Sequence, residues 1–541
     1  MSIPRAVPIL LAAVVALSDT RPLAAQACEV ITTRTAPGAF AGESIASIRI
    51  VTRPPDRFPG APAIVGKIHI RTQERTVRRD LLFAVGDTVD TLRIAETMRR
   101  IRLQRYIDDA ELEARRCGAG SGVALTITTR DSWSTRPELK LGAAGSTVLS
   151  LQERNVLGTG RAAGVYLQST SSRIGVGAML YDPWVPHTNL SALVRRNTYR
   201  DGGDWYAEVE TRRRSVFDPW HTRLALMSST RQTTGDTADT FQRQDVSFLV
   251  ARSVSTSARG VTALLAGVEG ERTRLLSSPN AAIVGPWNVR RDFVGLDLGL
   301  RRDAASFDTL TWLVGGRGLA DLPVGFEGEG VVGIGKDFVR EEPLVHLDLW
   351  GGRIWQPDRR HVVVADVWSS GYAGEHRWDA AAVRGSVTTY RRAHRGMWIA
   401  NLAGERLFDP DPDVRALATL DHTIQVFPRR SRLAESALAA SLERDVHIMW
   451  ATRSWRVDGA LFSAASLRWD PVSPNPDQLY AAVLGVGVRV APKRAGRGTF
   501  RLDLGFPVAH SPELKGRPFV ALTVAPWLGA SRQRDGWWQQ R

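Results

Sequence analysis

The strongest constraint on this chain is a period of two. Val294, Leu296, Leu298 and Leu300 alternate with Gly295, Asp297 and Gly299. Leu484, Val486, Val488 and Val490 alternate with Gly485, Gly487 and Arg489, and Phe500, Leu502, Leu504 and Phe506 with Arg501, Asp503 and Gly505. Successive side chains of a strand point to opposite faces, so each run offers one apolar face and one that is small or charged. From residue 137 onward the pattern recurs over roughly 400 residues, broken by Gly, Pro, Asp and Asn clusters and by no clear helix. A water-soluble sandwich would turn the apolar face inward. A transmembrane barrel inverts it, apolar toward lipid and polar toward the lumen, and alternation by itself allows either. Trp184, Trp220, Trp350, Trp355, Trp368, Trp469 and Trp527 recur near the ends of the expected strands, as aromatic girdles of membrane barrels do. At about 25 residues for each 9–11-residue crossing and its connection, the region holds about 16 strands. The expected fold is mainly β: an antiparallel transmembrane barrel over 137–530, preceded by a small α/β module at 45–132 and followed by a tail at 531–541.

Residues 1–27 carry an early Arg5, an apolar run from Ala6 to Leu17 and the small-x-small triplet Ala25-Gln26-Ala27. That is the pattern of a secretory signal peptide, and residues 28–44 read as a linker. Export would place the two cysteines, Cys28 and Cys117, in an oxidising compartment. They either pair or stand as unrelated thiols; a disulfide closing that loop would stabilise by about 4–5 kcal/mol in the chain-entropy model. Beyond the signal, no apolar run approaches the ~20 residues of a spanning helix. Lys+Arg number 71 against 56 Asp+Glu, a net charge of +15, and only five of the basic residues are Lys. Such an excess first suggests nucleic acid. The charges, however, alternate with apolar residues and crowd strand ends, as in Arg212-Arg213-Arg214 and Arg429-Arg430. That distribution suits a charged lumen and anionic head groups better than a duplex, so nucleic acid is not an expected partner.

Within 45–132, Ile45–Val51 reads as a strand with Ile48 and Ile50 on one face, and Lys67–Ile70 as a second extended piece. Thr76 reads as the N-cap of a helix through Phe83, Gly86-Asp87 as a turn, and Asp90 as the cap of a longer helix through Tyr106. In that helix Ile94, Met98 and Ile101 share one stripe, and Glu96 and Arg100 form a surface pair. Strands Ala110–Arg116 and Val123–Thr129 follow. The order strand, helix, helix, strand, strand resembles the polypeptide-transport-associated (POTRA) domain, and Phe83, Gly86, Asp87, Leu103 and Tyr106 occupy the places of its motif. The resemblance implies a periplasmic module that binds client chains by adding an extended segment to a sheet edge. A generic α/β spacer is the alternative.

A second resemblance runs through the barrel region. Leu151-Gln-Glu153-Arg-Asn155-Val-Leu-Gly158-Thr-Gly160 resembles the start of the first hairpin in BamA/TamA-like outer-membrane proteins, the bacterial surface antigen superfamily. Asp182-Pro183-Trp184 resembles the D-P-aromatic turn that follows, and Asp218-Pro219-Trp220 repeats it. Residues 457–470 resemble the G-x-x-x-F-x-D-x-G strand, with Ser463 to Ser466 lacking its Asp and Gly. Gly485, Gly487, Arg489, Arg501, Asp503 and Pro507 match the family's closing strands. The inward-folded loop of that family carries Arg-Gly-aromatic, then a strand with a Glu. Arg384-Gly385-Ser386 with Glu405 is the best match, without the aromatic unless Tyr390 substitutes. A rival, Val426-Phe427-Pro428 ahead of Glu443, lacks Arg and Gly, and an ordinary Arg-Gly turn is the alternative to both. The resemblance implies an outer-membrane protein with its module in the periplasm, inserting or translocating polypeptides. It would do so at a weakly paired seam between a first strand near Leu139–Gly145 and a last strand Phe519–Val524. Implied partners are outer-membrane lipids, client polypeptides and accessory periplasmic proteins; no cofactor or ATP is implied. The altered loop leaves a second possibility, a diverged passive pore or surface scaffold without assembly activity.

Several patterns carry no chemistry. Gly328-x-Gly330-x-x-Gly333 and Gly330-x-x-x-x-Gly335-Lys336 resemble nucleotide loops in letters only, since Asp337 stands where Ser or Thr is required and no strand–turn–helix surrounds them. Small residues on a barrel's inner face explain both. The ten His lack metal-ligand spacing, no G-x-S-x-G occurs, and Asp409-Pro410-Asp411-Pro412-Asp413 reads as an exposed acidic turn. No catalytic constellation emerges, so the chain is not expected to be an enzyme. A third class, a soluble Arg-rich β-protein that binds polyanions, is separated from the barrel by which face is outward.

Overall fold

The computed structural model describes residues 40–55, 69–116, 122–141, 147–169, 174–200, 202–213, 215–232, 240–257, 259–277, 289–310, 320–375, 378–408, 436–447, 455–469, 479–492, 498–510 and 518–526. The signal peptide, Cys28, Cys117, the acidic turn at 409–413, Val426–Pro428, Arg429-Arg430, Trp527 and the tail lie outside these residues.

The N-terminal module is built from β1 (Ile45–Arg53), α1 (Glu74–Arg78), α2 (Thr91–Leu103), β2 (Ile107–Arg116) and β3 (Val123–Asp131). Its sheet runs β1-β3-β2, with β1 parallel and β2 antiparallel to the central strand. Val123, Leu125 and Ile127 of β3 are fully buried, and Ile94, Met98 and Ile101 of α2 pack with them in one core that also holds Phe83 and Tyr106. The helix starts because Asp90 accepts from Leu92 N at 2.8 Å and Arg93 N at 3.2 Å, satisfying donors that have no intrahelical partner.

Three local expectations are corrected. α1 begins behind Gln73 and ends at Arg78, so Thr76 lies inside it and does not cap it. α2 stops at Leu103, three residues before Tyr106, because Gln104 is already extended at ψ 132°. Glu96 holds Arg99 bidentately at 2.7 Å instead of Arg100, which frees Arg100 for a different partner.

The rest of the chain is one antiparallel sheet. Its first half comprises β4 (Thr135–Leu141), β5 (Thr147–Val156), β6 (Arg161–Ser169), β7 (Ile174–Asp182), β8 (Leu190–Tyr199), β9 (Gly202–Thr211), β10 (Trp220–Gln232), β11 (Thr240–Ser257), β12 (Gly260–Ser277) and β13 (Val289–Ala304). A short hairpin, β14 (Phe307–Leu310) and β15 (Ala320–Pro323), interrupts the series. The second half comprises β16 (Gly325–Asp337), β17 (Glu342–Asp358), β18 (His361–Ala373), β19 (Trp378–Ala393), β20 (Gly396–Phe408), β21 (Ser436–His447), β22 (Trp455–Trp469), β23 (Leu479–Pro492), β24 (Gly498–His510) and β25 (Phe519–Pro526). All but the hairpin close into a barrel of twenty strands among the described residues. The expected number was about 16. Connections as short as Arg359-Arg360 and His394-Arg395 leave fewer residues per strand than the spacing used for that count.

Alternation now has a direction. Leu296 and Leu298 are 68% and 69% exposed on the outside, while Asp297 between them is 5% exposed on the inside. Leu484, Val486 and Val488 likewise face out, and Arg489 and Asp503 are buried within. A soluble sandwich would hide those leucines and valines. An apolar outside around a polar inside is the arrangement of a transmembrane barrel. The aromatic girdle is only partly as expected. Trp220 and Trp355 face outward, but Trp350 and Trp368 are register partners on the inner face, and Trp184 sits in a turn beneath the module.

Among the described residues the ring closes with little pairing. β24 and β25 pair over eight positions, from Gly498–Pro526 to Gly505–Phe519. Across the closure, β25 and β4 share one register pair among the described residues, Leu522 opposite Leu141. The strands following the closure, β4 to β9, have 7–10 residues each, against 18 in β11 and β12.

Outward orientation has a measurable consequence. Leu298→Arg should destabilise the barrel by about 2–4 kcal/mol in a bilayer-based folding titration, as a cation on the lipid face does. A change within about 0.5 kcal/mol, ordinary for a water-exposed site, would contradict the lipid-facing assignment.

Candidate functional site

Residues 155–160, between β5 and β6, form the seat of the module. Asn155 is fully buried: its Nδ2 donates to Thr72 Oγ1 at 2.9 Å, and its Oδ1 accepts from Gly160 N at 2.8 Å. Glu153 Oε1 accepts from Asn155 N at 2.7 Å, and its second oxygen accepts from the Thr135 hydroxyl. The Gly158 carbonyl accepts from Gln73 N at 3.0 Å and from Thr76 Oγ1 at 2.8 Å, which explains why Thr76 is not a cap. Gly158 and Gly160 have φ of 74° and 76°, conformations that glycine adopts freely. A Cβ on Gly158 would fall 2.3 Å from the Arg71 carbonyl, and one on Gly160 2.8 Å from the Tyr106 hydroxyl. Burial, above all, pushes the Tyr106 phenol well above its ordinary pKa, so it stays neutral. Residues singled out from two separate resemblances therefore meet at one interface. Phe83 contributes core, Gly86 makes a turn at φ 95°, and Asp87 accepts from Ala84 N at 2.8 Å; these three, with Leu103 at the end of α2, shape the module and do not touch the seat.

The next two turns on the same end extend the dock. Asp182 accepts from Trp184 N and from Arg161 Nε, each at 2.9 Å, with Pro183 between them fixing the turn. The Trp184 ring lies under Arg212 at 4.5 Å and under Arg79 at 5.5 Å, a cation–π pairing that joins barrel to module. Asp80, buried in the module, receives Arg100 at 3.3 Å and also Arg212. Burial pushes the Arg100 guanidinium down and Asp80 raises it again. Arg213 pairs with Asp303 at 2.9 Å, and Val216 N donates to Glu96 at 3.4 Å. Arg212, expected to serve lumen or lipid, thus holds the module instead, while the Arg213 side chain stays within the barrel and only its carbonyl accepts from Arg100, at 2.5 Å. At the linker, Asp131 Oδ2 accepts from Thr72 N at 2.9 Å and faces His69 Nε2 at 3.0 Å.

Paired charges line the inner wall. Arg489 donates to Glu443 Oε1 through Nε at 3.0 Å and to Asp503 Oδ1 through Nη1 at 2.6 Å; Arg501 reaches Glu443 at 2.8 Å. Gly487 makes room, since a Cβ there would lie 2.2 Å from Asp503 Oδ1. Gly485 does the same for Phe462, whose ring would be 2.1 Å from a Cβ. Pro507 sits opposite Val483 at a register shift in β23–β24, where a missing backbone donor is tolerated. Glu443, noticed only as part of the rival loop match, is the acid at the centre of this network. Arg384 and Glu405 do come together, as register partners on β19 and β20. They lie in the barrel wall, so the expected inward-folded loop is not formed by Arg384-Gly385-Ser386. Tyr390 packs with Val362 and Met397 and does not substitute for a loop aromatic.

Other features were not visible in local motifs. Glu271 receives Arg291 and Arg243 at 2.7 Å and the Tyr372 hydroxyl at 2.9 Å, joining four strands. Leu310 and Leu322 of the β14–β15 hairpin pack on Val362, Tyr390 and Met397 of the inner wall, so the hairpin obstructs the module-side mouth. The glycine-rich run lies in β16, with Gly333 and Gly335 on the inner face and Gly328 and Gly330 on the outer.

Together these define a closed β-barrel with a charge-lined lumen, a hairpin packed on its inner wall, a docked α/β module and a closure that shows one register pair among the described residues. No family model matches the sequence, and no curated protein matches it. Among solved structures, the chain is similar to CdiB from Escherichia coli at 10% identity and a TM-score of 0.45, covering 92% of this chain and 79% of that one. It is similar to CdiB from Acinetobacter baumannii at 9% identity, TM-score 0.41, with 90% and 74% covered. BamA from Haemophilus ducreyi lacking POTRA domains 1–3 shows 11% identity, TM-score 0.32, with 88% and 84% covered. All three likenesses are distant.

Two substitutions check the site. Gly158→Ala combines a positive φ with a 2.3 Å approach and should release the module, seen as faster limited proteolysis between module and barrel while the barrel band survives; unchanged cleavage would contradict the dock. Arg489→Met leaves Glu443 and Asp503 to share Arg501 and should cost about 1–3 kcal/mol, read as a lower temperature for loss of the compact gel band; an unshifted temperature would show that the network is not structural.

Proposed function

We propose that this chain is an outer-membrane protein of the BamA/TamA-like type, and that it inserts or translocates polypeptides with its module acting as a single periplasmic POTRA domain. The observation that carries the proposal is that β4 and β25 share one register pair among the described residues, Leu141 opposite Leu522, at the closure. In hydrocarbon each unsatisfied backbone group costs several kcal/mol, so a barely paired edge is a template for an incoming strand. A client strand entering beside β4 gains hydrogen bonds without first breaking a long ladder, and exchange of those bonds needs no cofactor and no catalytic residue. Client polypeptides and accessory periplasmic proteins would meet the module at β2, which pairs only with β3 among the described strands. A passive pore is less well supported, because the β14–β15 hairpin packs against the inner wall at the module-side mouth.

The test is to lock the seam. Leu141→Cys with Leu522→Cys, oxidised to a disulfide in the membrane, should leave a folded, heat-modifiable barrel that no longer assembles clients, with activity returning on reduction. Undiminished assembly by the locked barrel would refute lateral pairing at this seam.

A further inference from the structure

We propose that Glu269, Asp297 and His346 form a site for a first-row divalent transition metal inside the lumen, a binding function independent of client assembly. The three side chains come from β12, β13 and β17 and point to the inner face. One ligand atom from each lies within 4.8 Å of the others, and His346 Nδ1 is 2.9 Å from Glu269 Oε2. Around a tetrahedral ion with bonds near 2.0–2.2 Å, ligand atoms stand about 3.3 Å apart, so modest side-chain rotation completes the set.

The independent sign is Asp297. It is 5% exposed, and its Oδ1 is buried with no hydrogen-bond partner. An uncompensated buried carboxylate is costly, and two other buried glutamates of this lumen are each compensated by a pair of arginines. Glu271 has Arg243 and Arg291, and Glu443 has Arg489 and Arg501. Among the described residues neither Glu269 nor Asp297 has an Arg or Lys ion pair; two carboxylates share one imidazole. Space is also provided. A Cβ on Gly333 would lie 2.3 Å from Asp297 Oδ1 and 3.2 Å from His346 Cβ, so the glycine keeps the site open. Tyr372 orients the ligands from outside: its hydroxyl is 3.5 Å from Glu269 Oε1, and its ring is 5.0 Å from that of His346, the kind of support that metal ligands require.

One imidazole and two carboxylates suit zinc, manganese or ferrous iron better than calcium, which prefers oxygen alone. The strands concerned, β12, β13 and β17, are spaced across β16 and lie on the side of the ring opposite the closure. A metal there would staple the tall wall and confine opening to the seam.

The full chain, folded in detergent and freed of metal by a chelator, would be titrated with Zn²⁺ by calorimetry, with heat-modifiable gel mobility measured in parallel. One saturable site near 1:1 is expected, with a higher melting temperature of the compact band. Asp297→Asn, which keeps shape, and His346→Gln should each weaken binding by more than the about 10–100-fold that outer-shell changes cost and abolish the shift. Absence of saturable Zn²⁺ binding by the unaltered chain would overturn the proposal. So would binding that both variants retain, or a site that takes Ca²⁺ and not Zn²⁺. Assembly of clients by the Asp297→Asn protein would leave the function proposed above intact, so the two proposals fail separately.

Discussion

A sheet placed in hydrocarbon must bring its two edges together, because no water is available to satisfy an open row of backbone donors and acceptors. Everything else in this chain depends on how that closure is made. Twenty strands curl far enough for β25 to meet β4, and among the described residues that meeting is a single pair, Leu141 with Leu522. The neighbouring pairs β24–β25 and β4–β5 run over eight and seven positions. Among the described residues the closure is therefore the most sparsely bonded line of the wall.

The second dependency is the dock. The turn at 155–160 belongs to the same short-stranded side, and it is held by Asn155, Gly158 and Gly160 against Thr72, Gln73 and Tyr106 of the module. Arg212 reaches Asp80 from a neighbouring turn. Positions near the start of the barrel thus share residues with the module's seat, and β4 follows directly from the module through Asp131 to Thr135. Force or occupancy at the module has a short covalent and hydrogen-bonded route to the weak edge. Inside, by contrast, the Arg489–Glu443–Asp503 and Arg291–Glu271–Arg243 networks tie neighbouring strands together along the wall. The wall is cross-linked by charges there, while at the closure Leu141 and Leu522 are the one pair among the described residues.

Much of this was legible because it obeys short periods. Alternation at 294–300 marks both the strand and its two faces, and Asp90 announces a helix start by chemistry that acts within three residues. Asn155, Gly158 and Gly160 stand out because turn geometry restricts residue type locally. What sequence left hidden involves distance. Arg384 and Glu405 read equally well as loop and strand, and pairing register alone places them in the wall. Trp368 and Trp350 face the lumen because of their parity within a strand, which a terminal position does not reveal. Glu271 meets Tyr372 across about a hundred residues of chain, and four-residue strands such as β14 carry too few positions to show any period.

The +15 charge, which at first suggests a polyanion partner, finds its use within the protein. Arg489, Arg501, Arg291 and Arg243 neutralise buried acids, and Arg100 and Arg212 join module to barrel. Those interactions define which parts of the wall stay shut, so the central claim concerns where it opens. Hydrogen–deuterium exchange of the full chain in lipid nanodiscs tests this most directly, since local opening is read amide by amide. The account predicts that amides of β4 and β25 exchange far faster than those of β12 and β13. Equal protection around the whole ring would contradict it.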